Sequence, residues 1–107
     1  MSYDINLKIH TGIEEAIVIE CGSYTYNVSA MYYEAFGENG LRAIDDMKAG
    51  DAVPILKKAI IYFIEHEEEL KLLNPENGWG DYEGAKRYIE NILVECKLHP
   101  ACTVRVE

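Results

Sequence analysis

The two ends of the chain share an alternation of apolar and polar residues with period two, and no other feature constrains the fold as strongly. Residues 3–9 place Tyr, Ile and Leu on one face and Asp, Asn and Lys on the other, and residues 101–107 alternate similarly. This period predicts strands with one buried face. Residues 14–20 are rich in β-branched side chains and follow a Thr-Gly turn signal, which predicts a hairpin with the first strand. Beyond a break at 21–23, residues 24–28 alternate again and predict a short third strand or extended segment.

The middle of the chain has the spacing of helices instead. Residues 30–36 predict a short helix that begins after Ser29, a residue type that caps exposed amides. Residues 40–48 predict a second short helix. Apolar residues at helical spacing predict a long helix from its N-cap Asp51 to about Leu73, and a final helix at about 81–97.

Grouped strands and grouped helices predict an α+β fold with two layers. We expect an antiparallel sheet of three to four strands, made of the N-terminal hairpin and the C-terminal strand. Two longer helices and one or two short ones cover one face of it. The last strand is predicted to lie beside the first or the second. A length of 107 residues predicts a single domain over 1–107, because one domain takes about 100–200 residues.

The charge of the chain excludes two classes of function. Asp and Glu number 19 against 10 Lys and Arg, for a net charge of −9. A sequence-independent nucleic-acid binder and a polybasic membrane-surface protein both need the opposite sign, so we expect no direct nucleic acid and no membrane partner. The longest apolar run, 59–64, is far shorter than the about 20 residues of a membrane span. The N-terminus lacks the pattern of a secretory signal and the three cysteines are an odd count, which predicts a cytoplasmic protein.

Patterns for catalysis and metal binding are weak. Cys96, His99 and Cys102 have residue types that bind zinc, but Cys96 falls on the predicted core face of its helix, which favours packed cysteines. The carboxylates at 45–46 and 65–69 have the pattern of solvated helix faces. No serine lies in a nucleophile elbow and no glycine loop has the phosphate-binding pattern. We therefore predict no metal, no cofactor and no enzymatic activity.

Aromatic residues and one amide form the best candidate for a binding site. Tyr24, Tyr26 and Asn27 lie in the middle segment, and Trp79 and Tyr82 lie where the last helix begins. Such aromatic side chains bury area and still form hydrogen bonds, which suits recognition of a ligand or a partner. The free amides at that helix N-terminus could receive an anion, unless acidic residues of the first turn already serve them. The alternative is that the aromatic residues complete the core and hold the loop.

Two segments carry a resemblance. GSYTYNVSAMYYEAFG at 22–37 and NPENGWGDYEGA at 74–85 are followed by a helix, a His-Pro break and a final strand. Over nearly its whole length the chain resembles a group of small uncharacterised bacterial and phage proteins with YTYN and NPxNGWGxYE motifs. The resemblance implies a phage or prophage setting and no particular activity. It draws attention to the residues that match the two motifs, which are Tyr26, Asn27, Trp79 and Tyr82.

Together these observations predict a non-enzymatic binding protein of phage or prophage type. We expect a small acidic inhibitor of a host defence protein with a basic surface, acting in the host cytoplasm if the protein is phage-encoded. The alternative is a protein that binds or sequesters a small molecule or nucleotide signal in an aromatic and Asn pocket. Apolar residues on a further side of the long helix, Ile60, Ile61 and Ile64, also predict a homodimer.

Overall fold

The computed structural model describes residues 1–107 and contains a three-stranded antiparallel sheet with helices on one face. Strand β1 (Ser2–His10) lies between β2 (Glu15–Thr25) and β3 (Thr103–Val106). The α+β fold predicted from the alternation is therefore confirmed. The C-terminal strand pairs with β1, which is one of the two neighbours that the sequence left open.

Four α-helices and two short 3-10 helices follow the hairpin. The first 3-10 helix leads directly into α1, and the second precedes the long helix α2. In chain order they are the 3-10 helix Tyr26–Val28, α1 (Ser29–Phe36), the 3-10 helix Gly40–Ile44, α2 (Ala49–Glu65), α3 (Glu67–Lys71) and α4 (Tyr82–Leu98). None of these helices combines the length and the apolar composition that a membrane span requires.

The core lies between one face of the sheet and the pair α2 and α4. Alternate residues of β1 point toward the helices, and the helices turn their apolar stripes toward the sheet and toward each other. The buried side chains include Tyr3, Ile5 and Leu7 of β1, Val104 and Val106 of β3, Leu56, Ala59 and Phe63 of α2, and Ile89, Ile92 and Cys96 of α4.

Strand β2 is longer than the sequence predicts. The predicted break after the second strand is wrong, because the strand continues to Thr25 through a β-bulge. Cys21 and Gly22 lie together opposite the single residue Ile5, and Gly22 has φ +84°, a conformation that glycine adopts without strain. The glycine that signals a break in the sequence therefore marks the extra residue of a bulge.

The predicted extended segment 24–28 also ends earlier than expected. From Tyr26 the chain turns into the first 3-10 helix. The hydroxyl of Thr25 accepts a hydrogen bond from the backbone N–H of Asn27 at 3.1 Å, a local turn that competes with strand pairing.

The predicted long helix is two helices. The chain leaves helical geometry at His66 (φ −118°, ψ 32°), between α2 and α3. The hydroxyl of Tyr82 donates to the carbonyl of Phe63, which lies in the last turn of α2 where carbonyls lack helical partners. The contact comes from α4, so the periodicity of the long helix carries no sign of it.

Two other helix boundaries differ from the prediction. The second short helix, predicted to reach Lys48, ends at Ile44 as a 3-10 helix. Helix α2 begins at Ala49, so Lys48 and not Asp51 occupies the N-cap position. The residues between these two helices pair with β3 instead of continuing a helix.

That pairing closes the outer edge of β3. The backbone N–H of Asp46 donates to the carbonyl of Val104 at 2.8 Å, and the N–H of Val104 donates to the carbonyl of Met47 at 2.8 Å. The carboxylate of Asp45 accepts from the N–H of Val106 at 2.9 Å. One edge of the sheet is therefore satisfied by the chain itself.

Helix α2 leaves apolar side chains on its outer side. Ile61 and Ile64 are exposed, and Ile60 is partly buried against the core. The helix is therefore not surrounded by the core on every side, so central burial does not explain its apolar composition. The contact between two copies of the chain that these residues predict stays a prediction.

Candidate functional site

The structure places the five predicted site residues in three different surroundings. Tyr24, Asn27 and Trp79 line one cleft of about 540 Å³. Tyr26 lines a separate, smaller depression. Tyr82 lies in the core. The candidate site therefore consists of the first three residues and their neighbours.

The cleft lies between the end of β2 and the loop 72–81 that connects α3 to α4. None of its eight lining residues has a charged side chain, although the chain as a whole carries a net charge of −9. The surface consists of aromatic rings, hydroxyl groups and one amide. Besides Tyr24, Asn27 and Trp79, the lining residues are Met1, Ser2, Ser23, Thr25 and Gly80.

The loop is held by asparagine side chains. The Oδ1 atom of Asn74 accepts a hydrogen bond from the N–H of Tyr82 at 2.9 Å, and Oδ1 of Asn77 accepts from the N–H of Trp79 at 3.0 Å. Gly78, between Asn77 and Trp79, adopts φ +74°. Asn side chains form such turns readily, and glycine fits the left-handed conformation. The NPxNGWG pattern thus fixes the backbone on which Trp79 stands.

The indole of Trp79 is exposed while its backbone is held on both sides. Its side chain is 72% exposed. Its N–H donates to Asn77, and its carbonyl accepts a hydrogen bond from Nδ2 of Asn27 at 3.4 Å. The side chain therefore projects from a backbone position that costs little further ordering when a partner binds.

Tyr24 forms the floor of the cleft and touches the start of α4. Its hydroxyl accepts a hydrogen bond from the N–H of Asp81 at 3.1 Å. This approach needs glycine at position 84, and a separate close contact with Thr25 needs glycine at position 80. A Cβ atom at Gly84 would lie 2.0 Å from the Tyr24 oxygen, and one at Gly80 would lie 2.5 Å from Cγ2 of Thr25. Gly80 also has φ +94°, which L-residues rarely adopt.

The N-terminus of α4 does not offer the anion site that the sequence left open. The carboxylate of Asp81 accepts from the N–H of Gly84 at 2.7 Å and caps the helix. Glu83 adds a second acidic side chain to the first turn. An incoming anion would meet these carboxylates, so this helix end favours no anionic ligand.

Tyr26 does not share the cleft of its neighbour Asn27, which corrects the expectation that both belong to one site. Its ring packs edge-on against Tyr3, with centroids 4.5 Å apart. Its hydroxyl accepts from Nη2 of Arg42 at 2.7 Å. The turn into the 3-10 helix directs Tyr26 away from Trp79, and its contacts join the first 3-10 helix to the second.

Tyr82 is buried and does not reach the surface of the protein, so the expectation that it contacts a ligand or a partner is wrong. The side chain is 1% exposed and its ring stacks on Phe63, with centroids 5.5 Å apart. It lies on the same helical face as Ala85 and Ile89, which directs it into the core. For Tyr82 the alternative interpretation applies, in which the aromatic residue completes the core.

The hydroxyl residues of the cleft, which are Ser2, Ser23 and Thr25, were not predicted as site residues. Ser2 pairs with Thr25 in the register of β1 and β2, so the open end of the hairpin, opposite its turn, brings them together. Serine and threonine are common at strand ends, so these residue types alone do not indicate a site. The pairing of the two strand ends was the one signal that could have predicted that these residues lie together.

The three cysteines lie outside the cleft. Cys96 and Cys102 are buried. Burial raises the pKa of the Cys21 thiol to about 12 and that of Cys96 to about 11. At neutral pH both are protonated, and a protonated thiol is a poor nucleophile and metal ligand. No group of three His, Cys, Asp or Glu side chains is arranged to hold a metal ion.

Comparison of this chain with models of known protein families, with characterised proteins and with solved structures finds no match. The candidate site therefore depends on its geometry alone.

Proposed function

We propose that the protein is a non-enzymatic binding protein that docks on a protein partner with a basic face. The docking surface is the Trp79 surface, which we define as Trp79, Asn27, Tyr24 and the hydroxyl residues of the cleft. One observation carries the proposal: Trp79 is 72% exposed while its backbone N–H and carbonyl are both held by hydrogen bonds.

The form of the surface favours a protein partner. Small-molecule sites typically enclose about 70–90% of the ligand surface, whereas this cleft is open and its tryptophan projects outward. Tryptophan is among the residues that contribute most to protein interfaces, and it does so best near their centre. A prearranged backbone lowers the entropy cost of binding.

The charge distribution supports the same conclusion. The residues that line the cleft have no charged side chains, and the net charge of −9 is carried elsewhere on the chain. Protein interfaces commonly have this pattern, with an uncharged centre and charges at the rim. The charge would attract a basic partner and raise the rate of association.

The resemblance to phage proteins supports a host protein as the partner. In this setting the protein acts as a small acidic inhibitor of a host defence protein in the host cytoplasm. Occlusion of a basic surface by a non-catalytic domain requires no cofactor.

The experiment is capture of partners from host lysate with tagged wild-type protein and two variants. Trp79→Ala removes the indole but keeps the backbone hydrogen bonds. Leu98→Ala is the control, because Leu98 is a large apolar side chain that is 65% exposed outside the cleft. We expect a stoichiometric protein that elutes as salt is raised. Its affinity should fall by at least about tenfold with Trp79→Ala and remain unchanged with Leu98→Ala.

Equal capture by the Trp79→Ala variant and by wild type would contradict the proposal. Capture that does not respond to salt would contradict its electrostatic part.

A second candidate function is binding of a small, uncharged planar ligand. The cleft volume of about 540 Å³ lies within the range of ligand pockets, and Asn27 offers an amide beside an aromatic ring. Trp79 is the only tryptophan, so its fluorescence reports on the cleft directly. A saturable change with a nucleoside that is lost in Asn27→Ala would favour this function, and a flat response across nucleosides and nucleotides would exclude those ligands.

A further inference from the structure

The two outer edges of the sheet differ in their backbone hydrogen bonds. The outer edge of β3 is closed by backbone pairing with residues 45–49. Strand β2 is the other terminal strand, and no backbone hydrogen bond joins the outer edge of residues 15–20 to another part of the chain. A free edge of this kind presents unpaired N–H and C=O groups that can pair with another strand.

Exposed apolar side chains accompany this free edge. Ile17 is 52% exposed, and Val18 and Ile13 beside it are exposed as well. Many proteins protect a terminal strand with lysine or proline, and residues 13–20 contain neither. Bulges at Val18 and at Cys21–Gly22 limit the regular free stretch to a few residues.

The charge of the free stretch selects among the strands that could pair with it. Residues 14–20 contain three glutamates and no basic residue. Glu15 is held by Arg105, which keeps the pKa of Glu15 below its usual value, while Glu14 and Glu20 make no ion pair within the chain. A second copy of β2 would bring glutamates toward glutamates, and like charges across strands are destabilising.

We infer that the outer edge of β2 accepts one strand from the basic protein partner, in which Lys or Arg alternates with apolar residues. Main-chain hydrogen bonds would supply affinity, and Glu14 and Glu20 would select basic side chains. The inference rests on the proposed function, because it takes the same basic partner and adds a second contact to the Trp79 surface.

The test uses a synthetic peptide in which lysine and valine alternate, titrated into the isotope-labelled full-length protein and followed by NMR. A control peptide of the same length and charge, in which a central valine is replaced by proline, cannot form a regular strand. We expect the alternating peptide to shift the amides of residues 15–20 and to slow their hydrogen exchange, and the proline peptide to bind much more weakly.

Two variants with matched exposure locate the contact. Ile17→Lys places a positive charge on the free edge, and Ile61→Lys places one on α2 at a residue that is 53% exposed. We expect Ile17→Lys to weaken peptide binding about fivefold to tenfold, through loss of an apolar cross-strand contact and gain of a like-charge contact. We expect Ile61→Lys to leave binding unchanged.

Three patterns of peptide binding would overturn the inference. The first is binding of the proline peptide as tightly as the alternating one, and the second is shifts confined to the acidic residues 65–69, because both would indicate plain charge attraction. The third is an equal effect of the two lysine variants. Because the peptide test does not involve Trp79, absence of binding at β2 together with loss of partner capture by Trp79→Ala would overturn this inference alone.

Discussion

At the level of single residues, the side chain and the backbone of Trp79 have different roles. Asn77 and Asn27 bond to the backbone of Trp79, and neither bond depends on the indole. The folded state therefore needs the asparagines at these positions more than it needs the tryptophan. A large aromatic side chain that is exposed on such a fixed backbone is available for an interaction outside the chain.

This separation predicts that two substitutions change the free energy of unfolding by different amounts. We expect Trp79→Ala to change the free energy of unfolding by less than about 0.5 kcal/mol, as for other exposed side chains. We expect Asn77→Ala to cost about 1 kcal/mol, because it removes the acceptor for the N–H of Trp79. Chemical denaturation of both variants measures the difference. A larger loss for Trp79→Ala than for Asn77→Ala would show that the indole packs as part of the fold.

Gly84 is a second position where local and tertiary effects oppose each other. Alanine normally favours a helix over glycine by about 1 kcal/mol, but here its Cβ would lie 2.0 Å from the hydroxyl oxygen of Tyr24. We expect Gly84→Ala to destabilise the wild type by about 1–3 kcal/mol, as other overpacked sites do. In a Tyr24→Ala background the same change should be neutral or stabilising. A double-mutant cycle by denaturation tests this, and additive effects would contradict the contact.

At the level of strands and helices, contacts from distant segments set the boundaries. The division between α2 and α3 coincides with the hydrogen bond that Tyr82 of α4 donates to Phe63. The end of the 3-10 helix Gly40–Ile44 coincides with the start of pairing along β3. In both places a backbone group finds a partner outside its own segment, which helical propensity does not anticipate.

The Tyr82 contact predicts a measurable cost. Tyr82→Phe keeps the ring on Phe63 but removes the donor to its carbonyl, so we expect a loss of about 1–2 kcal/mol and faster hydrogen exchange near His66. Tyr33→Phe is the control, because Tyr33 is exposed and its hydroxyl makes no hydrogen bond within the chain. Equal stability of the two variants would mean that the α2 carbonyl is satisfied without Tyr82.

Across the entire protein, three surfaces remain available for association. They are the Trp79 surface, the free edge of β2, and the outer side of α2 with Ile61 and Ile64. We propose that the first two surfaces contact a basic protein partner. The third surface carries its exposed isoleucines on a helix and not on the glutamate-bearing strand β2. It is the surface on which the predicted homodimer would form.

The homodimer has a direct test in light scattering. We expect the mass of a dimer for the wild type, and the mass of a monomer for Ile64→Lys, because a buried unpaired charge opposes the contact. Ile17→Lys should leave the dimer intact, since β2 is not the expected contact. A monomeric wild-type protein would remove the prediction, and a monomer only in Ile17→Lys would move the contact to β2.

Much of the fold followed from periodicity, and less of the site did. The alternation at residues 3–9 and the helical spacing at 81–97 predicted β1 and α4 closely, because each buries one face along most of its length. Trp79 and Asn27 were predicted as site residues and lie together, but Tyr26 and Tyr82 lie elsewhere. An aromatic residue in a sequence does not show on which side of its segment the core lies.

What could be read from the chain was local: which segments bury one face, where asparagine and glycine impose turns, and that the net charge is negative. These properties depend on side-chain chemistry and on spacing within a segment. The bulge at Cys21–Gly22, the break at His66, the closed edge of β3 and the burial of Tyr82 came from the folded arrangement. Each depends on a contact between segments far apart in the chain, because a backbone or hydroxyl group satisfies its hydrogen bonds with whichever neighbour packing brings within reach.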